Sequence, residues 1–164
     1  MRLRSRNALL SIHIAATVSA LGADLVILAL GVAGFSGSDP RTVYPAMSLI
    51  GSSIMAPFAI MSLATGLLLA LLTRWGLFRY WWVTIKLAIT ALLTVLVLLV
   101  LAPRLGAAAQ TVELGAALTD AERLQLVITP TVGSTLLFAT IALAVFKPSW
   151  RLRRRKVELE PTPG

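Results

Sequence analysis

The sequence predicts an all-α transmembrane four-helix bundle on three observations. Four apolar stretches are each long enough to cross a bilayer, basic residues collect at alternate ends of those stretches, and tryptophans and tyrosines gather at the same ends. Of 164 residues, 57% are hydrophobic and 13% charged, a balance outside that of soluble domains. A crossing takes ~20 apolar residues at helical rise. Stretches of that length run from about residues 8–35, 46–73, 80–102 and 124–146. Residues 1–148 then make one membrane domain, and 149–164 a basic, disordered cytoplasmic tail.

Placement of charge sets the orientation. Arg2, Arg4 and Arg6 precede the first span, Arg74 and Arg79 follow the second, and Lys147, Arg151, Arg153, Arg154, Arg155 and Lys156 follow the fourth. Only Arg41, Arg104 and Arg123 occupy the other side, so the tally is eleven against three. The positive-inside rule puts both termini in the cytoplasm of a bacterial cell, with a multi-pass protein in its cytoplasmic membrane. Trp75, Tyr80, Trp81, Trp82 and Trp150 fall at cytoplasmic ends, at headgroup level, and Tyr44 marks the opposite face. The net charge of +8 is therefore spent on topology, and no base-reading or groove-filling element predicts nucleic acid as a partner.

In the first span, Arg2 to Arg6 and Val18-Ser19-Ala20 imitate a signal peptide with its cleavage site, but the apolar run continues well past Ala20 and suits a span that stays. Gly34 to Pro45 combines glycine, Asp-Pro and a closing proline, which reads as a short ordered turn. The link Arg74 to Arg79 is shorter, so the first three spans are antiparallel neighbours. The segment Pro103 to Arg123 is the longest connection, and its alanine-rich part predicts a helix lying at the surface. Thr119-Asp120-Ala121-Glu122 has the form of a capping box and starts the fourth helix. After Lys147-Pro148 the chain leaves the membrane, and Arg151, Arg153, Arg154, Arg155 and Lys156 face anionic lipid headgroups at ~1 kcal/mol per charge.

The chain has no cysteine and one histidine, which removes thiol chemistry, disulfides and any multi-histidine metal cage in a single copy. No Walker loop, dinucleotide fingerprint, zincin motif or nucleophile elbow is present, and an enzyme is not evident. The informative groups are the ionisable ones inside the spans. His13, Thr17, Ala20 and Asp24 are spaced four, three and four apart on one helical face, with His13 and Asp24 ~16 Å apart along the axis. A carboxyl group on that seam must face protein. Counting depth from the span ends makes Ser52, Ser53, Thr131 and Ser134 the expected partners of Asp24. Pro130 and Pro57 release backbone carbonyls one turn earlier, which neighbouring threonines re-satisfy. Nearer the cytoplasm, His13 and Lys86 coincide in depth, and Lys86, Thr90 and Thr94 form a polar ridge. Small residues at Ala20, Gly22, Ala23, Ser62, Ala64, Thr65 and Gly66 allow close helix approach.

Leu49 to Thr90, with Leu49-Ile50-Gly51, Pro57, Ser62-Leu63, Thr65-Gly66, Thr73, Trp75-Gly76-Leu77-Phe78-Arg79, Trp82-Val83 and Lys86, resembles a family of uncharacterised bacterial integral membrane proteins common in actinobacteria. The likeness extends to His13, Leu21-Gly22-Ala23 and Lys147-Pro148, although relatives often carry a bulky aromatic where this chain has Ala20. The resemblance implies a four-helix membrane bundle and no known reaction. Three functional expectations follow. The first is a proton- or small-molecule-linked transport protein or accessory subunit working through the Asp24 seam and the His13/Lys86 cluster. The second is a haem-binding redox protein with His13 as axial ligand, completed by Met61, by a symmetric homo-oligomer or by five-coordination. The third is a structural partner in a larger membrane complex. No other cofactor is predicted.

Overall fold

The computed structural model describes residues 3–72 and 81–146. The link Thr73 to Tyr80, the tail from Lys147 onward and the side chains of Leu3, Trp81, Trp82 and residues 143–146 lie outside the described residues, and with them the headgroup cluster Arg151 to Lys156 and most of the aromatic belt. Among the described residues every regular element is helical: α1 (Leu3–Phe35), α2 (Pro40–Ile50), α3 (Ala56–Leu72), α4 (Trp81–Leu96), α5 (Ala102–Glu113) and α6 (Asp120–Phe146). Two π turns, Gly51–Met55 and Val97–Leu101, join α2 to α3 and α4 to α5 without a break. Four rods result, each long and apolar enough to cross a membrane. The second and third rods neighbour each other, and α1 packs on both α3 and α6, while α6 also meets α4, which closes the ring.

The end of the bundle that holds the start of α1 is termed the near end, and the end where α1 stops is the far end. Two expected loops are corrected at the far end. The turn after α1 occupies only residues 36–39: Gly37, at φ +99°, closes α1, with Ser38 N–H reaching the Ala33 carbonyl at 3.0 Å. Asp39 then caps α2 by accepting from the Arg41 N–H at 3.2 Å and the Thr42 hydroxyl at 2.8 Å, with Pro40 in the first helical turn. Likewise, Pro103 does not end the third rod. Helix α5 continues to Glu113 and stops at Gly115, whose φ is +81°.

The alanine-rich segment is therefore a continuation of the third rod and does not lie flat at the surface. Its Leu105, Ala108 and Val112 are buried with Val43, Tyr44 and Met47 of α2, and with Leu118 and Leu126. Tyr44 is 1% exposed beside Gly34, so it belongs to this packed cap and not to a headgroup belt. The capping box forms, with Thr119 N–H and Oγ1 both 2.8 Å from Glu122 Oε2 and the Glu122 N–H on Thr119 Oγ1.

Proline explains the π turns. Each turn is followed by the same dipeptide, Ala56-Pro57 or Ala102-Pro103. In a regular helix the ring of Pro57 would strike the carbonyl of Ser53, and that of Pro103 the carbonyl of Leu99. Both carbonyls lie inside π turns, where the ladder is wider. The Ala56 N–H bonds back to Gly51 and the Ala102 N–H to Val97, five residues earlier. The prolines thus widen the helix without breaking it. Because α2 has 11 residues and α5 has 12, the two π turns stand at one depth. Asp24, 11 residues before the end of α1 at Phe35, and Pro130, 10 residues into α6, lie at that depth too.

Candidate functional site

The seam predicted on α1 turns toward protein, with Ala20 and Asp24 buried and His13 and Thr17 half-buried. Ala16, Ala20, Ala23 and Ile27 are buried, and Asp24 is 0% exposed. Ser134 on α6 donates its hydroxyl to Asp24 Oδ2 at 2.6 Å. The other carboxyl oxygen, Oδ1, is buried with no hydrogen-bond partner among the described residues. Two glycines permit this approach of α1 to α6. A Cβ on Gly133 would lie 3.2 Å from Oδ2 and 3.4 Å from Oδ1, and a Cβ on Gly31 only 2.9 Å from the Leu126 carbonyl oxygen. That carbonyl is the one Pro130 leaves without its helical donor. Threonines on either side do not reach it: Thr129 bonds to Gln125 and Thr131 to Val127, each on its own turn.

Of the four hydroxyls expected around Asp24, only Ser134 arrives. Ser52 turns its hydroxyl back onto the Ser48 carbonyl at 2.9 Å, and Ser52, Ser53 and Thr131 are all exposed on the outside of the bundle. Depth alone does not bring a hydroxyl to the carboxyl, because the side of the rod on which it stands decides. Ser52 and Ser53 sit inside a π turn, whose extra residue rotates the faces by ~100° relative to a regular helix.

The place of those serines is taken by a chamber of about 250 Å³. Asp24, Gly133 and Thr129 contribute its few polar or backbone-rich parts, and the rest is hydrocarbon: Met55 from one π turn, Val97, Val100 and Leu101 from the other, with Leu93, Leu96, Ile128 and Val132. Both widened turns thus border the space beside the carboxyl. Single π turns inside α-helices are frequent at functional sites.

Toward the near end, His13 meets α3. Its Nδ1 is 3.1 Å from the Ser62 carbonyl and 3.0 Å from Thr65 Oγ1. A carbonyl only accepts, and the Thr65 hydroxyl hydrogen goes to the Met61 carbonyl at 2.7 Å. Nδ1 therefore carries the hydrogen and donates, and Nε2 is the ring nitrogen left without a hydrogen by these bonds among the described residues. Gly66 makes the seat for the ring, since a Cβ there would come 3.0 Å from His13 Cε1. The Thr17 hydroxyl donates to the His13 carbonyl at 2.8 Å, so its 2.8 Å contact with Ser62 Oγ has serine as donor. Lys86 and Thr90 line a cavity of about 70 Å³ together with His13, Ser62 and Gly66, which brings the predicted inner pair to one space. Thr90 and Thr94 bond back to the carbonyls of Lys86 and Thr90, respectively, as a ridge on α4.

Sequence reasoning missed Ser62 and Thr65 as partners of His13, having read them only as small residues for packing. Their spacing of three on the face that carries Ala59 and Gly66 was the available signal. Gly22, by contrast, has nothing within 4 Å of a Cβ and takes no part in packing.

A third cavity, about 30 Å³, sits between the other two. It shares Ser62 and Thr90 with the His13 cavity, and Met55, Leu93 and Val97 with the Asp24 chamber. Three adjoining spaces therefore follow the α1 seam past Thr17 and Ala20. No family model, curated protein or solved structure matches the chain.

Proposed function

We propose that the chain is a proton-linked protein of the bacterial cytoplasmic membrane, both termini cytoplasmic, which moves protons between the His13/Lys86 cavity and Asp24 and serves small-molecule transport on its own or as an accessory subunit. One observation carries this reading: the three cavities share walls and run from the imidazole to the carboxyl along a single helix face. Ionisable groups that face the interior of a membrane domain are the ordinary components of proton relays.

The residues divide the work. His13, held by Ser62 and Thr65 through Nδ1–H, offers Nε2 to take a proton at the near end. Lys86 lines the same cavity and places a second proton-carrying group beside the ring. The Thr17–Ser62 hydroxyl pair borders the narrow middle, whose 30 Å³ holds about one water. Asp24 receives the proton, and the neutral acid so formed avoids the cost of a carboxylate in hydrocarbon, ~2.5 to 3.5 kcal/mol even on lenient insertion scales.

Purified protein in liposomes loaded with a pH dye and driven by a potassium gradient with valinomycin tests the reading. Wild-type protein admits protons, and Asp24→Asn, which keeps the acceptor for Ser134 and the shape of the site, lowers the flux at least tenfold. Equal flux in the two proteins overturns it. The haem alternative draws less support. Nε2 is the atom an axial ligand would use, but the cavity beside it is about 70 Å³ and is shared with the Lys86 side chain, far short of a porphyrin. The ring is also seated against α3, which keeps it from pairing across a two-fold axis, and Met61 is 37% exposed on the outside of α3.

A further inference from the structure

The chamber beside Asp24 is much larger than a proton path needs. At about 250 Å³ it has room for about ten non-hydrogen atoms, since benzene fits an apolar cavity of about 150 Å³. Its lining includes one ionisable residue, Asp24, among eight aliphatic or thioether side chains. Among the described residues, aromatic rings and cationic side chains are absent from that lining. A buried carboxyl with an oxygen lacking a partner is matched by a charged donor, which makes hydrogen bonds about twice as strong as neutral ones. The apolar walls are matched by hydrocarbon.

The entrance is lateral. Leu96 on α4 and Ile128 and Val132 on α6 line the chamber and are also 39%, 50% and 51% exposed on the outer surface of the bundle. They belong to the seam between the third and fourth rods, so the chamber reaches the face that lipid covers. The packed cap of α2 and α5 lies toward the far end, and the narrow 30 Å³ space lies toward the near end.

We propose that this chamber binds a small lipophilic ammonium compound drawn sideways from the bilayer, and that one proton leaves the Asp24 carboxyl as each ammonium arrives. The exchange balances in charge: a neutral acid and a cation become an ion pair and a free proton, which departs along the cavities toward His13. The inference rests on the proton-linked reading above, to which it adds a ligand class and a stoichiometry.

The test uses the full chain in phosphatidylcholine nanodiscs, with 2-phenylethylamine as the charged probe and propylbenzene as its neutral counterpart of equal size. Equilibrium dialysis measures binding by chromatography of the dialysed probe, with empty discs correcting for lipid partition, and a pH dye records proton release. Wild-type protein is expected to bind one amine per chain, at least tenfold more tightly than the neutral compound, releasing about one proton. Asp24→Asn reduces the amine to the affinity of the neutral compound. Val132→Trp, a change at the exposed mouth, removes saturable binding of both. Equal affinity for the two compounds, a preference that survives Asp24→Asn, or no saturable binding of either overturns the inference, the last result giving the chamber to acyl chains. Proton flux without amine separates the two ideas. Flux with no amine preference overturns the ligand class and leaves the relay standing, whereas amine preference without flux upholds the ligand and overturns the relay.

Discussion

The close approach of α1 to α6 is the contact on which the Asp24–Ser134 pair depends, and one substitution measures it. Gly31 lies seven residues after Asp24, two turns along the same face. A Cβ there would stand 2.9 Å from the Leu126 carbonyl oxygen and 3.5 Å from its carbon, with the Met47 Cε also at 3.5 Å. The oxygen belongs to backbone, so Gly31→Ala must push two rods apart by roughly half an ångström or tilt them, and overpacking of this kind costs about 1–3 kcal/mol. The same helix supplies its own control. Gly22→Ala meets nothing within 4 Å and gains only helix propensity, up to about 1 kcal/mol, a gain Gly31→Ala shares. The difference between the variants is then about 1–3 kcal/mol, or roughly 5- to 150-fold in the unfolding constant. Titration from dodecylmaltoside into dodecyl sulfate, followed by circular dichroism, reads both midpoints. Indistinguishable midpoints would show that the rods do not touch at Gly31, and the geometry argued around Asp24 would go with them.

Two further outcomes follow from hydrogen bonds already described. Ser134→Ala removes the donor 2.6 Å from Asp24 Oδ2 and leaves that oxygen also without a partner; stability in the same titration falls by about 1–3 kcal/mol, and proton flux falls with it. At the far end, the Thr42 hydroxyl and then the Arg41 N–H hold the Asp39 carboxyl below its ordinary 3.8. A depressed carboxyl stabilises the fold above its unfolded value and loses that contribution as pH falls through the folded one. Asp39→Ala therefore melts below wild type at pH 7, and the gap between the two narrows once the pH drops under about 4. A gap that widens on acidification would contradict the capping role.

How much of this was legible in the sequence depends on what kind of information each feature needs. The four rods follow from hydropathy alone. The capping box followed from residue types at fixed spacing, and the α1 seam from helical period. Their lengths at the far end did not follow, because Pro45, Pro103 and the polar residues around them carry the signature of loops, and only packing between Tyr44, Met47, Leu105 and Val112 turns those segments into helix. Asp24 and Ser134 were matched by depth. Ser52, Ser53 and Thr131 were matched by depth as well and proved to point away, since azimuth along a rod is lost once a π turn intervenes or a hydroxyl bonds back to its own turn. The repeated Ala-Pro after each widened turn was visible in the sequence, and with hindsight it is the mark of both. Gly31 and Gly133 carried no signal of their own, because a glycine that admits a neighbour's backbone looks like any other until the neighbour is in place.

The paired Ala-Pro joints have a mechanical consequence. A continuous rod whose ladder widens at the level of the carboxyl bends there before it bends elsewhere, so a tilt of the cap is taken up beside the chamber, with the Ser62 and Thr65 seat of the imidazole on the other side of the bend.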